Sequence, residues 1–198
     1  MLKICQWAKS ELALYVSRKY KIRDQDKLYF VTFTVILWLD VFTRNLYKDI
    51  FLDSLRYCQK NKGLELCAYC IMTNHIHMII GRNKEFGLDA IIRDIKKFTS
   101  VKIIEAIQKN PHESRKELFL WLFEREGTNN PNNTRFQFWQ QHNHPVELAT
   151  NEMIDQRVDY IHNNPVKAGI VLSPEHYLYS SAINYAGLPE KLIDVILI

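Results

Sequence analysis

Long apolar runs are missing from this 198-residue chain. The longest, VILWL at residues 35–39, is closed off by Thr34 and Asp40, far short of the roughly 20 residues that span a bilayer. The N-terminal stretch MLKICQWAKSELALYV carries Gln6, Ser10 and Glu11 where a secretory signal needs an unbroken apolar region, so the sequence predicts a cytoplasmic protein. Cysteine is also scarce. Cys5, Cys58, Cys67 and Cys70 are too few and too unevenly spaced for a disulfide scaffold and read as reduced thiols. Six glycines and six prolines exclude a collagenous or linker-like chain, and no internal repeat or low-complexity segment is present. What is there is a hydrophobic fraction of 47% with 12% aromatics. That suffices for a real core, excludes global disorder, and at this length implies one domain with a small appendage.

The net charge of +4 is unevenly spread. Residues 1–30 hold seven Lys/Arg against three Asp/Glu, and residues 146–198 hold three against seven. A basic end built on Arg18, Lys19, Lys21 and Arg23 points to a polyanionic partner, although a solvated turn has the same composition.

Periodicity organises the rest. Residues 2–17 read as a helix followed by the basic turn. From Lys27 the pattern LYFVTFTVI alternates with period two, a strand. A helix is predicted over 43–60, its apolar positions Leu46, Ile50, Leu55 and Tyr57 closed by Asn61, Lys62 and Gly63. Residues 64–72 and 75–80 read as two strands joined by a short turn at Thr73 and Asn74. Leu88, Ile91, Ile92, Ile95, Phe98, Val101 and Ile104 recur every three or four residues over 87–108, leaving Asp89, Arg93, Lys96 and Lys97 on the opposite face. A further helix is expected at 111–126, then a polar loop, strand character at RFQFW (135–139), and a helix over 152–163. Thr150 or Asn151 can cap that last helix, with Asn164 and Pro165 ending it. The apolar C-terminus LIDVILI should dock on the body or on a second copy. This order predicts an α+β fold, a ferredoxin-like antiparallel sheet packed with helices.

The chemistry concentrates in Asn74-His75-Ile76-His77-Met78. On a strand His75 and His77 share one face while Ile76 and Met78 enter the core, so two imidazoles form half of a metal site. A pair of surface histidines is the bland alternative. The 152–163 helix offers a reacting group and a further ligand, because Tyr160 and Asn164 lie one turn apart and Tyr160 stands about 200° from buried Val158 on a 100° wheel. Cys67 and Cys70 with His75 and His77 could instead be a zinc site. Against that, the two cysteines face opposite sides of a strand, and the spacing to His75 is short.

The segments MTNHIHMII, FWQQ, VDYIHNNPVKAGIV and YLYSSAINY, in that order, resemble the REP-associated tyrosine transposases, within the single-tyrosine HUH-type insertion-sequence transposases. The resemblance covers about residues 27–187. It implies a transposase domain there with an insertion at 110–134, an N-terminal helical extension at 1–26 and a tail at 188–198. It also implies a metal-dependent endonuclease and strand transferase acting on single-stranded, hairpin-containing DNA. In that reading Tyr160 is the nucleophile, His75 and His77 bind a divalent cation, and Asn164 (or Asn163) is a polar third ligand. Two imidazoles with an amide oxygen suit Mg²⁺ or Mn²⁺. Arg18, Lys19, Lys21, Arg23, Lys96 and Lys97 are expected on DNA phosphates, and a homodimer and nucleoid association fit the same picture. Phe136, Phe138 and Trp139 are candidates for base stacking, at least two of them destined for the core. His142, His144 and Pro145 depart from the family pattern. A non-catalytic hairpin-binding module is the alternative, but it gives no chemical reason to keep His75, His77 and Tyr160 together.

Overall fold

A computed structural model describes residues 22–83, 86–130, 135–141 and 143–198. The helix expected at 2–17 and the basic residues Arg18, Lys19 and Lys21 lie outside them. The elements run β1 (Tyr29–Thr34), α1 (Asn45–Lys62), β2 (Leu64–Ile71), β3 (His75–Arg82), α2 (Leu88–Lys109), α3 (Lys116–Thr128), β4 (Val146–Glu147), α4 (Asn151–Lys167) and α5 (Ala182–Tyr185). The sheet order is β2-β3-β1-β4, and every neighbouring pair is antiparallel. Strands joined through a helix are therefore never neighbours: β3 separates β1 from β2, and β1 separates β3 from β4. This is the interleaved, ferredoxin-like arrangement that the sequence predicts.

Alternation gives the sheet two distinct faces. Val31 and Phe33 of β1 sit opposite Met78 and Ile76 of β3, and all four are fully buried. Helices α1 and α2 cover this face. Phe51 of α1 meets Phe33 edge-on at 6.0 Å, and Ile91, Ile95, Ile103 and Ile107 of α2 are completely buried. Each such side chain contributes roughly 1.5–3 kcal/mol by leaving water. The other face carries Phe30, Thr32 and Thr34 beside Ile79, His77 and His75, and α4 lies across it.

Helix α1 buries a different stripe from the one expected. Tyr47, Phe51, Leu55 and Cys58 are buried, whereas Leu46 and Tyr57 are about half exposed. Leu55 belongs to both stripes; at the other three positions the buried residue lies one place further on, 100° around the wheel. The third helix starts at Lys116 rather than residue 111. Asn110 Oδ1 accepts from His112 N, and buried Glu113 turns inward to accept from Arg44 Nε at 2.7 Å and Tyr47 Oη at 3.1 Å.

The late strand is also displaced. Trp139 makes only an isolated bridge to Val35, and the ladder resumes as β4 at Val146–Glu147. Between them His144 takes a left-handed φ of 43°, and Pro145 has no N–H to donate. Phe138 and Trp139 are buried in an aromatic cluster with Phe42, Phe51 and Phe33, as expected for two of the three candidates.

The outer edge of β2 is covered by the C-terminal segment, which protects it from pairing with another chain. Ile71 N donates to Tyr179 O, Ser181 N to Tyr69 O and Ile196 N to Leu66 O. The apolar tail thus docks on its own body.

Candidate active site

Three elements converge on the α4 side of the sheet. β3 sends His75 and His77 out together, with ring centroids 4.7 Å apart. β1 lies in register beside them, Thr32 opposite His77 and Thr34 opposite His75. Thr32 Oγ1 is 2.9 Å from His77 Nδ1, and Phe30 stacks on the same imidazole at 5.3 Å. His75 Nδ1 lies 2.7 Å from Asn74 Oδ1, and Asn74 Nδ2 in turn donates to Asp40 Oδ1 at 2.9 Å. Both Nδ1 atoms are thereby engaged, which turns each Nε2 to the site as the ring atom that can ligate.

Helix α4 delivers Tyr160. Its hydroxyl is 3.4 Å from His77 Nε2, with the rings edge-to-face at 5.1 Å. Thr150 caps the helix by accepting from Met153 N. Val158 and Ile161 bury its inner face. His162 fixes its height on the sheet: its Nε2 is 2.8 Å from Ser181 Oγ, which also donates to Tyr69 O and accepts from Tyr69 N. With Ser181 donating to the carbonyl, His162 Nε2 must carry a proton, so the node is satisfied by a neutral imidazole. Burial lowers the His162 pKa to about 4.

Helix α4 does not stop at Pro165; it continues to Lys167. Its end is set by Gly169 at φ 70°, with Ile170 N donating to Pro165 O and Gly169 N to Val166 O, the paired bonds of a Schellman termination. Asn164 therefore stays helical and keeps its place one turn from Tyr160. Asn163 donates its amide to Asp159 O along the helix. The extra turn also adds a residue to the site. Lys167 Nζ lies 5.8 Å from the Tyr160 ring centre, and the Arg157 guanidinium lies 4.8 Å from that of Phe30 and 5.9 Å from that of Tyr160. Neither cation was singled out from the sequence. The signal was present, since positions 157, 160, 164 and 167 fall within about 80° of one another on the wheel.

The local electrostatics keep the imidazoles neutral. Burial lowers the pKa of His75. Burial, then the neighbouring His75, then Arg157 lower that of His77 to about 3. Two neutral imidazoles presenting Nε2 fit a divalent cation. Among the described residues no group of three or more His, Cys, Asp or Glu side chains comes together, so the remaining ligands must be amide, water or substrate oxygen. That donor set suits a hard ion. It does not suit structural zinc. Cys67 and Cys70 are buried free thiols, each raised to about 12 chiefly by burial, and Cys70 Sγ is directed at Met72 Sδ.

The lysines expected on phosphate are not brought to this face. Lys96 reaches over the Phe33 ring, on the opposite side of the sheet. Its ammonium donates to Gln140 O at 2.6 Å and to Asn143 Oδ1, and burial lowers its pKa to about 7. Lys97 is exposed and lines, with Arg93, Phe136 and Gln141, an open cleft of about 690 Å³ on that far side. Arg23 is exposed.

Comparison with known proteins bears on the family and the fold. The family model of IS200-like transposases matches residues 25–164, from just before β1 through Asn164. Among solved structures, a REP-associated tyrosine transposase bound to a REP hairpin superposes with a TM-score of 0.60 at 17% identity, covering 90% of this chain and 92% of the other. A protein from Deinococcus radiodurans R1 described as a transposase gives 0.42 at 16% identity, covering 72% and 94%. Among proteins of curated function, none matches.

Proposed function

The chain belongs to the IS200-like transposase family, and we propose that it is a cytoplasmic, metal-dependent endonuclease and strand transferase that cuts single-stranded, hairpin-containing DNA through Tyr160. The observation that supports this reading is the 3.4 Å approach of the Tyr160 hydroxyl to His77 Nε2, which brings a phenol and an imidazole pair together within one chain. The hairpin bound by the REP-associated neighbour supports the substrate class. Among the described residues no helix is long and apolar enough to cross a membrane.

Tyr160 Oη attacks the scissile phosphorus, forming a phosphotyrosine bond as the bond from phosphorus to the 3′-oxygen breaks. The phenol's proton leaves to water, and the departing 3′-oxygen takes one up. His75 and His77, with Asn164, would hold a divalent cation, which would supply Lewis-acid stabilisation of the phosphate's charge. Arg157 and Lys167 face the negative charge of the phosphate on either side of the phenol. Attack on the phosphotyrosine by the 3′-hydroxyl of another strand rejoins DNA and frees Tyr160, with the phosphoester bond energy conserved throughout. The approach of Tyr160 to the imidazoles of its own chain supports action in cis.

The test is incubation of the protein with stem-loop oligonucleotides and Mg²⁺ or Mn²⁺, followed by denaturing electrophoresis. A DNA adduct that survives denaturation, is absent in Tyr160→Phe and is reduced in His75→Ala supports the reading. A mobility shift without an adduct in any variant makes the chain a hairpin-binding module instead.

A further inference from the structure

The loop between β1 and α1 holds an unusual pair. Leu37 and Trp38 are consecutive residues with φ of 54° and 55°, a region that side chains other than glycine or asparagine rarely occupy. The pair is also solvent-facing: Leu37 is 47% and Trp38 57% exposed. A position chosen only for its backbone shape would carry glycine. One chosen only for core packing would hide the indole. Here neither holds, and the conformation is enforced from outside. Val35 N donates to Asn74 O, Ile36 N to Phe138 O and Phe42 N to Thr73 O, while Asp40 accepts from Asn74. The loop is thus clamped to the turn that precedes His75. Its result is an open indole 5.7 Å from the His75 ring, on the rim of the catalytic pair.

The strained backbone thus holds a large flat ring in water beside the imidazole pair. We propose that Trp38 is a stacking platform for an unpaired nucleobase next to the scissile phosphate. Every base offers a π-face, so such a platform grips single strands with little sequence preference, and it excludes a paired stem, whose bases are already stacked. Stacking would fix the strand beside His75 while Tyr160 approaches from the α4 side. This assignment rests on the DNA-cleaving reading above for its location relative to the phosphate, but the stacking itself is measurable without cleavage.

The experiment is fluorescence anisotropy of the full-length protein with a labelled oligothymidylate and with an abasic deoxyribose-phosphate chain of equal length. Wild type is expected to prefer the base-bearing strand. Trp38→Ala should weaken oligothymidylate binding roughly tenfold and leave abasic binding unchanged, and Trp38→Phe should keep most of the preference. Trp38→Gly accepts the left-handed backbone without strain, so it should melt no lower than wild type while losing the preference, which separates stacking from folding. Equal weakening of both ligands by Trp38→Ala, or an undiminished base preference in Trp38→Gly, overturns the proposal. Failure of the cleavage reading looks different: no adduct forms in wild type, yet the Trp38-dependent preference persists.

Discussion

Replacing Thr32 by valine removes one hydroxyl and keeps the shape, and the consequence can be worked from the geometry. For His77 Nε2 to offer a lone pair, Nδ1 must carry the ring proton, and Thr32 Oγ1 at 2.9 Å must accept it. His77 is only 6% exposed, so water cannot take over that role. The variant leaves a buried N–H unsatisfied, which costs about 1–3 kcal/mol, and it frees the imidazole to place its proton on Nε2. Loss of such an orienting partner typically lowers metal affinity about 10- to 100-fold, which is the same energy range seen from the ligand side. Mn²⁺ titration followed by electron paramagnetic resonance reads the affinity directly, and urea unfolding reads the stability. Thr32→Ser, which keeps an acceptor, should restore both. Wild-type Mn²⁺ affinity in Thr32→Val would refute the reasoning, because the lone pair at Nε2 would then not depend on this bond.

The His162 node predicts a pH dependence of stability. Its folded pKa, lowered to about 4, lies below the ordinary 6.5, so the unfolded chain binds more protons and stability falls as pH drops from 6.5 toward 4. Between pH 7 and pH 5 wild type should lose about 2 kcal/mol more than His162→Asn, read by urea unfolding at both pH values. Gly169→Ala should cost about 1 kcal/mol, since φ is 70° with open space around it. Gly127→Ala should cost several-fold more, because a Cβ there would meet the Arg135 carbonyl oxygen at 2.1 Å; equal losses in the two would contradict the steric argument. Arg157→Ala should weaken hairpin binding across all sequences and reduce the slope of log affinity against log salt by about one, whereas an unchanged slope would place Arg157 off the phosphate path.

Much of the fold was legible because its signals are local. Period-two alternation identified β1 and β3, and helical spacing placed α1 and α2 to within two residues. The misses are positions where two local signals compete or where a distant contact decides. Asn164 and Pro165 were read as the helix stop, although a proline in the last turn sacrifices a single hydrogen bond while the left-handed Gly169 satisfies two carbonyls. Lys96 was grouped with Lys97 by charge, yet it continues the stripe of Ile92, Thr99 and Ile103 at spacings of four, three and four. The helix accordingly turns its aliphatic stem over Phe33.

The candidate site divides in the same way. His75 and His77 could be paired because that depends on one strand's period, whereas Tyr160, 83 residues beyond His77, was tied to them only by the family resemblance. Thr32, Asp40 and Trp38 could not be read, because their approach to the histidines depends on how β1 sits against β3, some forty residues later. That register is itself a consequence of the core. Val31 and Phe33 must face α1 and α2 to be buried, and a slip of one residue would turn them toward α4 and send Thr32 into the apolar layer. The burial that holds the far face of the sheet together therefore also sets the hydroxyl on His77 Nδ1. A substitution such as Phe33→Ala, on the side away from the chemistry, should lower Mn²⁺ affinity as well as stability. Wild-type affinity in a destabilised Phe33→Ala protein would refute the link.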